Sequence, residues 1–240
     1  MNRSGFARKA ILTAVLVVAT AVILNETVFR IRSVDVKGNR NIPSDDVVMI
    51  AGLDGGASYF FVNEERVSRA INSYRYLIYR GMEKTPPNRL TLFVEERTPR
   101  CVFKTNSGYY LVDEEGMVLE KVETDALQGL IRLSGISVRE TRVGNMLSAT
   151  NTEQLKAYRE ILGELIEEES LTVFSEMNCA DPENLYLTAA AGYTVGLGNA
   201  KDIRAKILTV RGVLEYMDIY KLPAGSLDAS VPGSVTYTPE

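Results

Sequence analysis

Two glycine-bearing stretches and three runs of acids have residue types that could do chemistry. Gly38-Asn39 closes a strand-like run and precedes a helix start at Pro43-Ser44, the order in which backbone N–H groups cradle a phosphate. Gly192-Tyr193-Thr194-Val195-Gly196-Leu197-Gly198 also leads into a helix. It fits neither G-x-G-x-x-G nor G-x-x-x-x-G-K-[ST], and most of it alternates as a strand does. Both stretches read as chain turns rather than phosphate sites. Glu95-Glu96, Asp113-Glu114-Glu115 and Glu167-Glu168-Glu169 supply the paired carboxylates of general acid–base catalysis. Adjacent strand residues point to opposite faces, so Glu95 and Glu96 cannot share a substrate. The second run sits in a tight turn, where charge is ordinarily solvated. The third ends a helix, against the helix dipole.

The chain has no histidine. That removes Ser-His-Asp and Cys-His catalysis, the imidazole base and every histidine metal ligand. Cys101 and Cys179 are the only cysteines and no C-x-x-C occurs, so a thiolate metal site is not expected. Both lie in strand-like runs. A disulfide outside the cytoplasm and two buried free thiols both fit. We therefore expect no catalytic residues, no cofactor and no metal.

The 240 residues have room for one large or two small domains, and 45% apolar with 24% charged residues is an ordinary globular composition. Residues 1–9 carry Arg3, Arg8 and Lys9 and no acid, which leaves −7 on the rest of a chain of net charge −4. An acidic body argues against nucleic acid as a partner.

Residues 10–24 read AILTAVLVVATAVIL. Fifteen helical residues rise about 22 Å, short of the roughly 30 Å hydrocarbon core. Extension to Phe29 gives a full span, with Asn25, Glu26 and Thr27 at the far interface. The basic start and Ala19-Thr20-Ala21 also fit a cleaved signal peptide. The apolar run continues through Val22, Ile23 and Leu24, so an uncleaved transmembrane helix over 10–29 is the preferred reading. Arg30, Arg32, Lys37 and Arg40 follow it closely, so charge leaves the orientation ambiguous. The order basic, apolar, long polar body makes the C-terminal body the translocated part.

Residues 31–99 read as β-α-α-β-β. Val34 and Val36 alternate with Asp35 and Lys37. Ser44 is expected to cap the first helix, and Asp45 and Asp46 suit its positive end. Asn63 starts a second helix, with Val62 and Val67 placed as a hydrophobic staple and Val67, Ala70, Ile71 and Tyr74 on one face. Strands over 76–83 and 90–94 flank the turn Thr85-Pro86-Pro87-Asn88. After Thr98-Pro99 short strands dominate, with a hairpin around 113–116. Thr150 and Glu153 suggest a capping box for a long helix carrying Leu155, Tyr158, Leu162 and Leu165. Ile203, Ile207, Val210, Leu214 and Met217 mark a second long helix, and Leu227-Asp228-Ala229 and Val235-Thr236-Tyr237 end the chain as short strands. The fold class is α+β.

The V-x-V-x-G-N run, the two helices and the hairpin closing on Leu92-x-Val94-x-Glu96-Arg97-x-Pro99 resemble a POTRA domain. With the N-terminal anchor, Tyr110-Leu111-Val112-Asp113-x-x-Gly116, Gly196-Leu197-Gly198, Lys206 and Leu227-Asp228-Ala229, nearly the whole chain resembles the FtsQ/DivIB family of bacterial cell division proteins. The resemblance implies a single-pass cell membrane protein with a cytoplasmic tail at 1–9, a transmembrane helix at 10–29, a POTRA domain at 31–99 and a β domain at 100–240. It implies a non-enzymatic divisome scaffold. Such a scaffold gathers FtsL and the FtsB/DivIC protein at the septum and helps control peptidoglycan synthesis. It also implies partner binding along the last strand, at Val235, Thr236 and Tyr237, by addition of a partner strand. A POTRA-bearing chaperone or translocation component and a carboxylate-dependent cell-wall enzyme are the alternatives.

Overall fold

The computed structural model describes residues 3–124 and 129–239. Of the expected tail at 1–9, residues 1 and 2 and the side chains of Arg3, Arg8 and Lys9 lie outside the described residues, as does the side chain of Glu26. The chain divides into two compact units, Met1–Arg97 and Thr98–Glu240.

The first unit contains α1 (Arg3–Thr27), β1 (Ser33–Lys37), α2 (Ser44–Ile50), α3 (Glu64–Ser73), β2 (Leu77–Thr85) and β3 (Arg89–Glu96). The sheet order is β1-β3-β2, with β1 parallel and β2 antiparallel to the central strand. Leu90, Leu92 and Val94 of β3 are buried with Val47 of α2 and with Val67 and Ile71 of α3. Asn63 caps α3 as expected, accepting from the Arg66 N–H at 3.0 Å. The cap of α2 differs from expectation. Ser44 is already helical, Pro43 precedes it, and no side chain caps the end. Asn39 instead donates from Nδ2 to the Ile42 carbonyl (2.8 Å) and to Ser44 Oγ (3.2 Å).

The helix expected at 10–29 is observed as α1, Arg3–Thr27. It stops short of Phe29 because the chain there joins the folded body. The Phe29 carbonyl accepts from the Tyr59 N–H (2.7 Å), Arg30 bridges to Ser58, and the Ile31 N–H donates to the Ala57 carbonyl (2.9 Å). Among the described residues no helix is long and apolar enough to cross a membrane.

The second unit contains β4 (Cys101–Thr105), β5 (Gly108–Val112), β6 (Val118–Val122), β7 (Ile131–Ser134), β8 (Val138–Glu140), β9 (Ser148–Ala149), α4 (Thr152–Glu167), β10 (Phe174–Asp181), β11 (Asn184–Ala189), β12 (Thr194–Gly198), α5 (Ile203–Ile219), β13 (Gly225–Asp228) and β14 (Thr236–Pro239). Nine strands form one sheet in the order β14-β13-β12-β11-β10-β7-β4-β5-β6, and β8 and β9 pair separately. Its inner face packs on Tyr158, Ile161, Leu162 and Leu165 of α4 and on Ile207, Val210 and Met217 of α5. Leu185, Leu187 and Ala189 of β11 face this core, whereas Tyr186 between them is exposed, the period-two pattern of a sheet covered on one side. The expected Thr150–Glu153 box is displaced by one residue: Asn151 is the cap and accepts from the Glu153 N–H at 3.0 Å.

Candidate functional site

Five of the acids that could have worked as catalytic pairs have partners nearby: Glu95, Glu96, Asp113, Glu167 and Glu168. Glu95 and Glu96 leave β3 on opposite sides, as the pleat requires. Glu95 pairs with Arg80 at 2.7 Å. Glu96 turns to the loop after β1. Its carboxylate accepts from the backbone N–H groups of Arg40 (2.5 Å), Asn41 (2.8 and 3.0 Å) and Ile42 (2.8 Å) and from Asn41 Nδ2 (3.1 Å). Burial works to raise this carboxyl, and the N–H donors outweigh it, holding the pKa below the usual carboxylate value. The loop that resembled a phosphate cradle is therefore an anion cradle, and its anion is a side chain of the same unit. Gly38, at φ +96°, lets it close: a Cβ there would lie 1.9 Å from the Val94 carbonyl oxygen.

Asp113 is buried in the β5–β6 turn, where its Oδ1 accepts from the N–H groups of Glu115 (3.0 Å) and Met117 (2.7 Å). Its carbonyl accepts from the buried Tyr158 hydroxyl. Glu167 and Glu168 pair with Arg204, at 3.9 and 2.7 Å. Cys101 and Cys179 are free thiols, both buried, and burial pushes each pKa up to about 12. Among the described residues no group of three or more His, Cys, Asp and Glu side chains could hold a metal ion. The stretch 192–198 is a β11–β12 turn running into β12, closed by the Gly192 N–H on the Ala189 carbonyl (2.9 Å).

The short motifs of the second unit instead meet at one corner, where β12 ends, α5 begins and β13 ends. Lys206, on the first turn of α5 and only 2% exposed, donates to the carbonyls of Leu197 (2.9 Å) and Asn199 (2.8 Å). Gly198, at φ +62°, approaches Ser230 so closely that a Cβ would lie 3.1 Å from its Cβ. The Ala229 N–H donates to the Gly196 carbonyl (2.8 Å), and Asp228 Oδ1 accepts from the Ser230 N–H (3.0 Å). These contacts fix β13 against β12. Tyr193 and Tyr237 then hold the segment that enters β13, donating to the carbonyls of Leu222 (2.7 Å) and Pro223 (2.8 Å). Sequence reasoning singled out Lys206 and Gly198 without giving them these roles, gave Tyr193 only a place in a strand-like run, and passed over Pro223. Nothing in residue spacing signals a lysine that clamps two carbonyls across a corner.

That corner positions β14, which pairs antiparallel with β13 (Gly225↔Pro239, Ser226↔Thr238, Leu227↔Tyr237, Asp228↔Thr236). The strands lie close: a Cβ on Gly225 would be 2.3 Å from the Thr238 carbonyl oxygen. β14 ends the nine-stranded sheet, so among the described residues one of its sides has no neighbouring strand. Val235 lies just before the strand and, with Tyr237, is half-buried against the core, whereas Thr236 and Thr238 are exposed. Of the three residues singled out by sequence, Thr236 and Tyr237 begin β14 and Val235 precedes it. Next to the edge, the open face of β11–β13 carries a groove of about 340 Å³ lined by Tyr186, Gly196, Ser226 and Asp228 among others.

A small βααββ unit is followed by a sheet whose terminal strand β14 is an edge. Comparison with known families identifies both units. The POTRA domain, FtsQ-type, matches residues 29–97, and the Cell division protein FtsQ/DivIB, C-terminal, family matches residues 101–229. The chain belongs to the FtsQ/DivIB family of cell division proteins. It is similar to Cell division protein DivIB of Clostridium botulinum, with 26% identity over 212 residues, 87% of this chain and 81% of that one. It is also similar to Cell division protein FtsQ of Syntrophotalea carbinolica, with 25% identity over 218 residues, 83% of this chain and 76% of that one. The solved major extracytoplasmic domain of DivIB from Geobacillus stearothermophilus aligns with 52% of this chain and 97% of its own, at 17% identity and a TM-score of 0.34, too remote to bear on the fold.

Proposed function

We propose that this chain is a non-enzymatic scaffold of the bacterial divisome. A single span over 10–29 would hold it in the cell membrane, with residues 1–9 cytoplasmic and the domains at 31–99 and 100–240 outside. There it gathers FtsL and FtsB/DivIC-type proteins at the septum and helps control peptidoglycan synthesis. The docking site is the free side of β14, with Val235, Thr236 and Tyr237 at its start. The observation that carries this reading is the position of β14: last in the sheet order, pinned on one side to β13 and, among the described residues, without a strand on the other. A partner segment adding there gains main-chain hydrogen bonds at once, and the exposed Thr236 and Thr238 supply side-chain contacts.

Backbone alternation supplies the test. Along an antiparallel strand successive N–H groups point alternately to the two sides. Of Thr236→Pro and Tyr237→Pro, one removes a donor to β13 and destabilises the edge. The other removes a donor from the free side and weakens capture of the FtsL and FtsB/DivIC pair with the fold intact. Undiminished capture by both variants would refute docking on β14. The carboxylate-enzyme alternative gains no support: Glu96 and Asp113 are held by backbone N–H groups, and Glu95, Glu167 and Glu168 pair with arginines.

A further inference from the structure

The loop between α2 and α3 carries two adjacent aromatic side chains that the core does not use. Phe60 is 61% exposed and Phe61 80% exposed, the latter more than any other large apolar side chain among the described residues. Folding gains nothing from leaving two phenylalanines in water, where the burial of their rings is forgone.

The loop is held firmly where it is. Arg30 donates to the carbonyls of Gly55 (2.9 Å) and Gly56 (3.1 Å). Ser58 Oγ donates to Asn25 Oδ1 (2.6 Å), the Tyr59 N–H donates to the Phe29 carbonyl (2.7 Å), and the Phe29 and Phe60 rings lie 4.7 Å apart. Residues 55–61 are thereby pinned to the C-terminal end of α1. Phe60 and Phe61, with Val18, Val22, Asn25 and Phe29 among others, line a largely apolar open groove of about 660 Å³. Val18 lies seven residues before Asn25, about 10 Å lower along the helix axis. The groove therefore runs alongside the apolar part of α1 and not above it.

We infer that the Phe60–Phe61 loop is a second membrane contact, inserted among the acyl chains of the leaflet facing the body, and that a lipid chain fills the groove. The inference rests on the reading of α1 as a membrane span. One wall of the groove is α1 itself, whose side chains from Ile11 to Leu24 are exposed and apolar in all but Thr13 and Thr20. Whatever surrounds them at that depth also fills the groove, and for a spanning helix that is hydrocarbon. With the loop fixed by one hydrogen bond to Asn25 of α1 and by four to residues 29–31 just after it, insertion sets the tilt of the first unit's βααββ body against the membrane plane.

The chain contains no tryptophan, so one introduced indole reports alone. The full-length chain carrying F61W, and separately L16W within α1, is reconstituted into phosphatidylcholine vesicles with and without bromine on the acyl chains. The expected result is that brominated chains quench most of the emission of both variants and that aqueous acrylamide leaves F61W largely unaffected. Quenching by bromine of L16W but not of F61W overturns the loop inference and leaves the span standing. If acrylamide also fails to reach F61W in that case, a protein segment rather than lipid fills the groove. Absence of bromine quenching in both variants overturns the membrane span and the loop inference together.

Discussion

Removal of the Glu96 carboxylate should loosen the first unit at one identifiable place. In Glu96→Ala, the N–H groups of Arg40, Asn41 and Ile42 lose the acceptor that now serves all three. A hydrogen bond to a charged group contributes about 1.5–3 kcal/mol. Three do not sum in full here, because Arg40 and Asn41 are exposed and water replaces much of what they lose. The net cost should be about 2–3 kcal/mol, weighted toward half-buried Ile42, and Glu96→Gln should lie between parent and alanine. For a unit of this size each kcal/mol lowers Tm by about 4–8 °C. Hydrogen exchange on the full chain locates the effect: amides 40–42 should exchange faster in both variants, with β12–β14 unchanged. The pH dependence follows from the lowered pKa. The contribution is complete above the ordinary carboxylate value and is lost as pH falls through the lowered one, so E96Q should remove this part of the acid sensitivity. An alanine variant within about 0.5 kcal/mol of the parent, with unchanged exchange at 40–42, would refute the cradle as a stabilising contact.

Three further outcomes follow. Lys206→Met retains the apolar stem but strips the Leu197 and Asn199 carbonyls of their donor; it should cost about 1.5–3 kcal/mol by chemical denaturation and speed exchange in β12 and β13. Gly38→Ala forces a Cβ against the Val94 carbonyl at a left-handed φ, and the first unit should lose at least about 2 kcal/mol, read as a lower unfolding midpoint. Cys101 and Cys179, buried with pKa values near 12, should resist an aqueous thiol reagent at pH 8 and label together on unfolding without reductant; failure to label then would reveal a disulfide.

The parts of the fold legible in the sequence were those fixed by neighbouring residues. Asn63 before an apolar stripe gave the cap of α3, and Asp113 to Gly116 gave the β5–β6 turn, because both depend on contacts a few residues apart. The caps of α2 and α4 were misplaced: no side chain caps α2, where Asn39 Nδ2 donates to Ser44 Oγ, and Asn151 rather than Thr150 accepts from the Glu153 N–H, outcomes that spacing does not decide. Sheet order was not legible. The parallel pairings of β7 with β4 and β10 join segments far apart in the chain, and no local pattern records them. At the candidate site the terminal strand was visible as Val235-Thr236-Tyr237. The corner that places it was not, since Lys206 shows its role only once α5 lies across the end of β12.

Recruitment of division partners along the free side of β14, as proposed, is open to hydrogen exchange on the whole chain, alone and with an FtsB/DivIC-type protein. New protection is expected at those amides of residues 236–238 that point to the free side, and unchanged exchange on the far edge strand β6. Partner binding that leaves residues 236–238 unprotected, or that protects β6 instead, would contradict it.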